Sequence, residues 1–542
     1  MAAARAAAGA THDVVVVGGG MIGASLALAL RRAPALASTQ LRVALVEARG
    51  PPPDSTDGGR DDTAGGGHNP HEAPPQARTV ALAAAARDLV EAIGVWNGSL
   101  ADRATPLRAM RVWDGAGFGS ISFGSEGGGG TAMGALVENA ELEKALMRTC
   151  MDPATGIDLF APASVARLEF DDGKQWAGDS QPTTIHLNDG TSLRARLVVG
   201  ADGPGSRIRS LAGIPYASRD YNQHGVVAAV KTLAAGSAGS GLAGTAAAVD
   251  QKDAVGRNGG DDAMSRTTAT TAYQRFLPTG PVALLPSLPG YMTVVWSTTP
   301  ARARALVAAD DDAFVAALNG ALLKPNGGLP PGTSMASSEL GTGAGRWDQL
   351  GGGRSAAGMM STLAHRFGTP WAHYLSNASG SGPPTVPHIA SVEPGSRAKF
   401  PLKFAHAASY VGPRLALVGD AAHSMHVLAG QGANAGFGDV IGLANTVAEA
   451  VGAGHDPGDS MFLERYARAR RAENTAMMYG VDALAHLFGT DNPALAVLRS
   501  VGMSATNAMA PLKDLLMHQA MGTDQRLAPS RNGGRPRAGH LL

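Results

Sequence analysis

Apolar residues along this chain fall into two periods. Val14–Val17, Leu41–Val46, Leu197–Val199 and Leu415–Val418 are near-continuous apolar runs of the kind buried on both faces of a parallel sheet. Each of the first, third and fourth runs straight into glycine and then into helical spacing. The helices predicted there are Ala24–Arg32, a short helix carrying Arg207, and a helix beginning within Gly430–Asn434. Between them lie short β segments separated by Pro and Gly: Arg108–Phe123, Ser164–Asp171, Thr184–Asn188, Gln223–Val230, Ala272–Pro278, Gly280–Pro286 and Met292–Trp296. The segments from Gln223 onward predict an antiparallel sheet that forms one wall of a pocket. Helices are also expected over Arg78–Ile93, closed by Gly94, and over Glu138–Arg148. Beyond Val440 the spacing is helical almost without a break, and the Met- and Leu-rich stretch 475–521 is expected to pack as core between helices.

The fold class predicted is α/β with α+β elements: a Rossmann-like domain, an antiparallel-sheet domain and a C-terminal helical region. A length of 542 residues suits two lobes plus insertions. The expected division is 12–222 for the first part of a nucleotide-binding domain and 223–400 for the sheet domain. Its closing part follows at 401–450, then C-terminal helices at 451–524 and a mobile tail at 525–542. Gly, Ser and Pro concentrate in three tracts, 50–77, 233–268 and 321–382, read as insertions too polar to build a core. His68 and His71 in the first tract have no ligand cluster around them, so no metal site is expected.

Lys+Arg and Asp+Glu are balanced at 45 each, which removes the general electrostatic case for a nucleic-acid partner. A single cysteine, Cys150, forbids an internal disulfide and fits a reducing compartment. No stretch of about 18 apolar residues predicts a membrane span. The opening MAAARAAAGATHD is too short before the first strand to read as a full targeting peptide.

Three corners carry the chemistry. The first is Gly18-x-Gly20-x-x-Gly23, with Met21 and Ile22 between the last two glycines, set after a strand and opening a helix. Gly18 suits a tight turn, Gly20 a close approach of backbone to pyrophosphate, and Gly23 close helix–strand packing. Glu47 ends the next strand, 24 residues past Gly23, where a carboxylate can hold adenosine ribose hydroxyls. The second corner is Gly200-Ala201-Asp202-Gly203, in which Asp202 either caps the following helix or positions a ribityl or pyrophosphate contact. The third is Gly419-Asp420, leading to Gly430-Gln431-Gly432-Ala433-Asn434 at a helix start. An acidic strand tip beside free helix N–H groups suits FAD, with Asp420 on a ribityl hydroxyl and Gly432, Ala433 and Asn434 against the flavin ring. Arg78 either reaches the cofactor or lies on the surface.

In order and spacing these corners resemble the class A flavin-dependent aromatic hydroxylases. The run Gly419-Asp420-Ala421-Ala422-His423 through Ala429-Gly430-Gln431-Gly432 to Asp439 is similar to the ubiquinone-biosynthesis branch. Arg275-Phe276-Leu277-Pro278, Val137-Glu138-Asn139 and Tyr466-x-x-x-Arg470-Arg471 add to the likeness, while the three tracts stand outside it. Val427 departs from it, since the family usually has Pro after the second His of this run; Val restores an N–H and backbone freedom there.

The resemblance implies a Rossmann-like FAD domain of the aromatic-hydroxylase type and adds Arg78 and Glu138 to the FAD contacts. It further implies oxygen transfer from dioxygen to the ring of a polyprenylated phenolic quinone precursor. Electrons would come from a ferredoxin and its reductase or from NAD(P)H. A mitochondrial location, peripheral on the matrix side of the inner membrane, and a quinone-biosynthesis complex belong to the same set of expectations. No nucleophile–base pair is required, because the cofactor carries the reaction. His423 and His426 suit either proton movement or a structural cap. A reductase or halogenase of the same fold, and a non-catalytic scaffold, remain alternatives.

Overall fold

The structure is a computed structural model that describes residues 11–36, 39–50, 74–124, 132–170, 181–233, 270–324, 385–490, 492–521 and 527. Most of the three Gly/Ser/Pro tracts and the polar tail lie outside those residues, as do His68 and His71.

The chain opens with β1 (Thr11–Val17), α1 (Met21–Arg32) and β2 (Val43–Val46), then β3 (Thr79–Ala83), α2 (Ala84–Ala92) and α3 (Gly98–Arg103). Next come β4 (Thr105–Leu107), β5 (Ala109–Asp114), β6 (Ser120–Gly124), β7 (Gly134–Glu138) and α4 (Asn139–Met151). β8 (Ile157–Phe160), β9 (Val165–Glu169), β10 (Thr183–Leu187), β11 (Ser192–Gly200) and α5 (Arg207–Leu211) complete the first stretch. The second contains β12 (Tyr216–Thr232), β13 (Thr271–Phe276), β14 (Val282–Pro286), β15 (Tyr291–Thr298), α6 (Pro300–Ala308) and α7 (Asp311–Leu323). After β16 (Ile389–Val392) and β17 (Ala398–Ala407) the chain returns through β18 (Val411–Gly412), β19 (Leu415–Leu417) and β20 (His423–Ser424). It ends in α8 (Gln431–Gly452), α9 (Ser460–Phe488), α10 (Pro493–Ala508) and α11 (Ala510–Met521).

The first sheet runs β18-β19-β11-β1-β2-β8, with β1, β2, β8, β11 and β19 parallel. Val14, Val15 and Val16 are fully buried, as a strand covered on both faces should be. The second sheet is largely antiparallel, in the order β20-β17-β12-β15-β14-β13-β5-β6. A small third sheet, β3-β7-β4, shares the first sheet's apolar cluster; the second sheet has its own, and a small third cluster joins Val112, Phe276 and Leu428 to Val481, Phe488 and Met503 of the C-terminal helices.

Several expectations need correction. Residues 78–83 are not the start of a helix: β3 pairs with β7, and α2 begins only at Ala84. The backbone of an alanine-rich stretch goes where partners exist, and the strand register to β7 supplies them. β5 and β6 fall inside the span assigned to the nucleotide-binding part, yet they extend the second sheet, β5 lying parallel to β13. The third tract begins later than expected, because Ala321 and Leu322 are buried in α7.

The stretch 475–521 is core only on one side. Met478, Val481, Phe488 and Met503 are buried, but Leu498 is 65% exposed and Leu515 61%. α10 turns Arg499, Ser500 and Ser504 inward and Leu495, Leu498 and Val501 outward. The cause is a buried ion pair. Arg499 Nε donates to Asp114 Oδ2 at 2.7 Å, 385 residues away in sequence, and fixes which face looks in.

Candidate functional site

β1, β11 and β19 are neighbours, so the three glycine corners emerge side by side at the carboxyl ends of parallel strands. This edge is where open α/β sheets bind ligands. The corners are stitched together: Ala201 N donates to Val17 O at 2.8 Å, and Val418 N to Gly200 O at 3.0 Å. Arg209, buried in α5, ties the second corner to the third by donating to Pro204 O and Ala421 O.

At the first corner Gly18 has φ +107, and a Cβ on it would sit 2.4 Å from Ala201 O. A Cβ on Gly23 would lie 1.9 Å from Gly18 O. A Cβ on Gly20, by contrast, would meet nothing within 4 Å. Fold packing thus explains Gly18 and Gly23, while the open space over Gly20, at the uncapped start of α1, fits a pyrophosphate. Met21 lines the adjoining cavity, whereas Ile22 packs against Gly419 and Gly436. Glu47 is buried at the β2 tip and accepts from Gly19 N at 2.6 Å.

At the second corner the capping alternative holds for Asp202. One oxygen accepts from Ser206 Oγ at 2.6 Å and the other from Arg207 N and Ile208 N. Asp202 and Gly203 are thereby directed to α5, and the positions that border the cavity are Pro204 and Gly205. Glu138 is likewise committed elsewhere: buried at the end of β7, it pairs with Arg103 at 2.5 Å and accepts from Gln76 N. Both corrections share one reason, that nearby donors too distant or too ordinary to stand out in the sequence satisfy the carboxylate.

The third corner opens on a cavity of about 1020 Å³ lined by Met21, Arg78, Asp420, Gly432, Ala433 and Asn434 and by the face of the second sheet. That volume is at the upper end for a single small ligand and leaves room for two ring systems. Asp420 accepts no hydrogen bond among the described residues and faces the cavity. Enclosure by protein pushes its carboxyl above the ordinary range; His423 opposes this and the Asp439 charge adds to it. α8 starts at Gly430, φ +60, with no side-chain cap, so its first N–H groups remain for a ligand. The Asn434 side chain clamps β3, donating to Ala81 O at 2.8 Å and accepting from Ala83 N at 2.9 Å. Exposed Arg78 borders the cavity with its guanidinium 5.9 Å from the centre of the Phe400 ring.

Behind this corner lies a polar network that the sequence reading missed. Fully buried Asp439 accepts from Gly419 N at 2.9 Å, Arg470 Nε at 2.9 Å and Asn474 Nδ2 at 3.0 Å, and it pairs with His423 Nε2 at 2.7 Å. Burial alone would raise its carboxyl, but His423 and Arg470 outweigh it and hold the group at about 2. Tyr466, one helical turn before Arg470, donates to Leu417 O at 2.9 Å. The Tyr466-x-x-x-Arg470 spacing was the available signal, since residues four apart share a helix face.

His426 donates through Nε2 to Gln223 Oε1 at 2.8 Å, and its Nδ1 accepts from Leu428 N at 3.1 Å. With one nitrogen accepting, the ring is neutral, and burial pushes its pKa down to about 4. The structural alternative therefore applies to His426. Val427 borders the cavity as the first residue of a short 3-10 turn.

Comparison with known proteins agrees with this geometry. The family described as FAD dependent oxidoreductase matches residues 13–94, and the FAD binding domain family matches residues 383–480, which span the first and third corners. The curated "Ubiquinone biosynthesis monooxygenase COQ6, mitochondrial" of Xenopus tropicalis is 31% identical, with 94% of this chain and 93% of that protein covered. Its human counterpart is 30% identical over 93% of this chain and 92% of that protein. Among solved structures, p-nitrophenol 4-monooxygenase PnpA from Pseudomonas putida shares the fold, with a TM-score of 0.57 at 15% identity, covering 96% of this chain and 100% of the other. Pseudomonas aeruginosa PqsL gives a TM-score of 0.52 at 18% identity, with 90% of this chain and 99% of that one covered. Three glycine corners on one sheet edge with a cavity in front of them accompany this similarity along nearly the whole chain, which shows that the protein belongs to the FAD-dependent ubiquinone biosynthesis monooxygenases.

Proposed function

We propose that this chain hydroxylates the aromatic ring of a polyprenylated phenolic quinone precursor, using dioxygen and FAD, with electrons supplied by a ferredoxin and its reductase. The observation that carries the reading is the continuity of the cavity. It runs from the three corners, across an apolar sheet wall of Val227, Ala283, Leu285 and Val295, to Leu516 and Met517 of α11. Gly20 and Glu47 would hold the ADP half of FAD on the turn that Gly18 makes possible, Asp420 the ribityl chain, and the backbone of Gly432, Ala433 and Asn434 the ring edge. Asp202 and Glu138 would act indirectly, by fixing α5 and β7. Bound FAD supplies the activation of dioxygen; the protein orients the ring and excludes water.

The outward face of α10 supports a peripheral membrane location. Its exposed positions include Ala494, Leu495, Leu498, Val501, Gly502 and Ala505, without a charge among them. Apolar surface of this kind marks an interaction site. A long prenyl tail would be drawn from a bilayer beside the Leu516 and Met517 end of the cavity. Among the described residues no helix is long and apolar enough to cross a membrane, so the contact proposed is with one leaflet, on the matrix side of the mitochondrial inner membrane.

The test is turnover by purified holoenzyme supplied with ferredoxin, its reductase or NAD(P)H, and a short-tailed prenylphenol. A product heavier by one oxygen atom, its ring position assigned by NMR, supports the reading. Flavin oxidation without ring hydroxylation would favour a reductase, and a chain that binds no FAD a scaffold.

A further inference from the structure

The wall of the cavity opposite the corners is a four-strand row. In register, Val227 of β12 faces Val295 of β15, Val295 faces Ala283 of β14, and Ala283 faces Gln274 of β13. All four line the cavity, as does Ala272 one pleat along. Three of the four are apolar and the fourth is a primary amide. Gln274 is only 6% exposed, and its side chain has no hydrogen-bond partner among the described residues. Its chain neighbours are turned to the other side: Arg275 donates to Ala321 O, and Tyr273 sits in the apolar cluster behind the sheet. Ser297, 1% exposed, lies two residues beyond Val295 on the cavity face and adds a second uncharged group. Of the charged residues lining the cavity, Arg78 and Asp420 lie outside this sheet and Lys403 is on β17, beyond the four-strand row.

The amide is open to the cavity and has no protein partner among the described residues to compete for it, and a few placed polar groups in an apolar cavity decide how a ligand is oriented. The amide both donates and accepts, which matches a phenolic hydroxyl; a carboxylate would offer it acceptors alone. We infer that Gln274 orients the substrate ring by hydrogen bonding to an uncharged polar substituent of phenol type, and so selects the ring carbon presented to the flavin. The inference rests on the hydroxylase reading above and deepens it.

The test compares wild-type holoenzyme with Gln274→Leu and Gln274→Met by titrating the flavin absorbance. The ligands are a short-tailed prenylphenol and the matching prenylbenzene without its hydroxyl. The expected result is phenol binding weakened about tenfold in both variants, the loss of one hydrogen bond. Prenylbenzene binding should stay within about twofold, and more hydrogen peroxide should be released per dioxygen consumed as the ring loses its orientation. Equal losses for both ligands would reduce Gln274 to a packing residue and overturn the inference, as would unchanged phenol binding with unchanged coupling. A wild-type flavin spectrum that responds to prenylbenzene and phenol identically overturns the role of Gln274 alone. One that responds to neither overturns the hydroxylase reading as well.

Discussion

Asp439 is the residue whose removal should most directly separate the site from its support. It reaches the turn of the third corner through Gly419 and collects four contacts from Gly419, His423, Arg470 and Asn474 at 2.7–3.0 Å, at zero exposure. Asp439→Ala leaves Arg470, itself 5% exposed, buried with Glu473 and Asn474 as its remaining side-chain partners, and frees the Gly419 N–H that fixes the strand tip. Breaking a buried pair from one side costs about 3–5 kcal/mol. At roughly 2–4 °C per kcal/mol for a lobe of about 200 residues, the melting temperature should fall by ~6–20 °C. Asp439→Asn keeps the volume but presents an N–H to donors, so most of the loss should remain. Scanning calorimetry gives the shift and the visible flavin spectrum gives retained FAD; both should drop together. A melting point within about 2 °C of wild type with full flavin content would refute the claim that this carboxylate holds the third corner.

The two glycines of the first corner should behave oppositely. Gly23→Ala drives a Cβ into Gly18 O and should lower the folded yield, while Gly20→Ala should melt like wild type and lose FAD affinity by at least tenfold on ultrafiltration. Asp420→Ala should abolish flavin absorbance while the circular dichroism spectrum is kept; full flavin content would count against the assigned role. For His426 the folded pKa of about 4 lies below the ordinary 6.5, so its contribution is complete above pH 6.5 and is lost as pH falls toward 4. Loss of ~2 kcal/mol by pH 5 should appear as a falling melting point; His406, also pushed down to about 4, titrates in the same window, so His426→Asn should reduce that slope without removing it. Asp439, depressed from 3.8 to about 2, acts in a lower window and does not confuse the measurement. Leu498→Glu with Val501→Glu should abolish flotation with cardiolipin-containing vesicles while leaving turnover of a water-soluble prenylphenol unchanged; persistent flotation would remove α10 from the membrane contact.

The three corners were legible because each carries its own code within a few residues: a buried run, a glycine turn, a carboxylate, a helix start. Their adjacency is a property of the fold, in which β1, β11 and β19 lie side by side. What the sequence concealed was decided by distant partners. Thr79–Ala83 is alanine-rich enough to read as helix, and only β7 makes it a strand. The pairing of β5 with β13 joins strands far apart in the sequence, and Arg499 has no local reason to face inward until Asp114 is placed beside it. Helical spacing alone could not say which side of α10 was the outside, because polar and apolar faces were both available and the buried pair chose the polar one.

Asp202 and Asp420 show the same limit at the scale of one side chain. Both follow a buried strand and a glycine, and the sequence offers both as cofactor ligands, Asp202 with the helix cap as its alternative. Asp202 is followed at four to six residues by Ser206, Arg207 and Ile208, whose hydroxyl and N–H groups are unbonded at a helix start and lie within reach, so the helix captures it. Asp420 lies in a single 3-10 turn, Gly419–Ala421, and a donor beside it, Gly419 N, is taken by Asp439 from α8. With that donor satisfied from behind, Asp420 has no protein partner among the described residues and stays open to the cavity. A strand-tip carboxylate thus becomes available to a ligand when another acidic residue relieves it of the turn, and Asp439→Ala should draw Asp420 back onto the Gly419 N–H as well as loosening the fold.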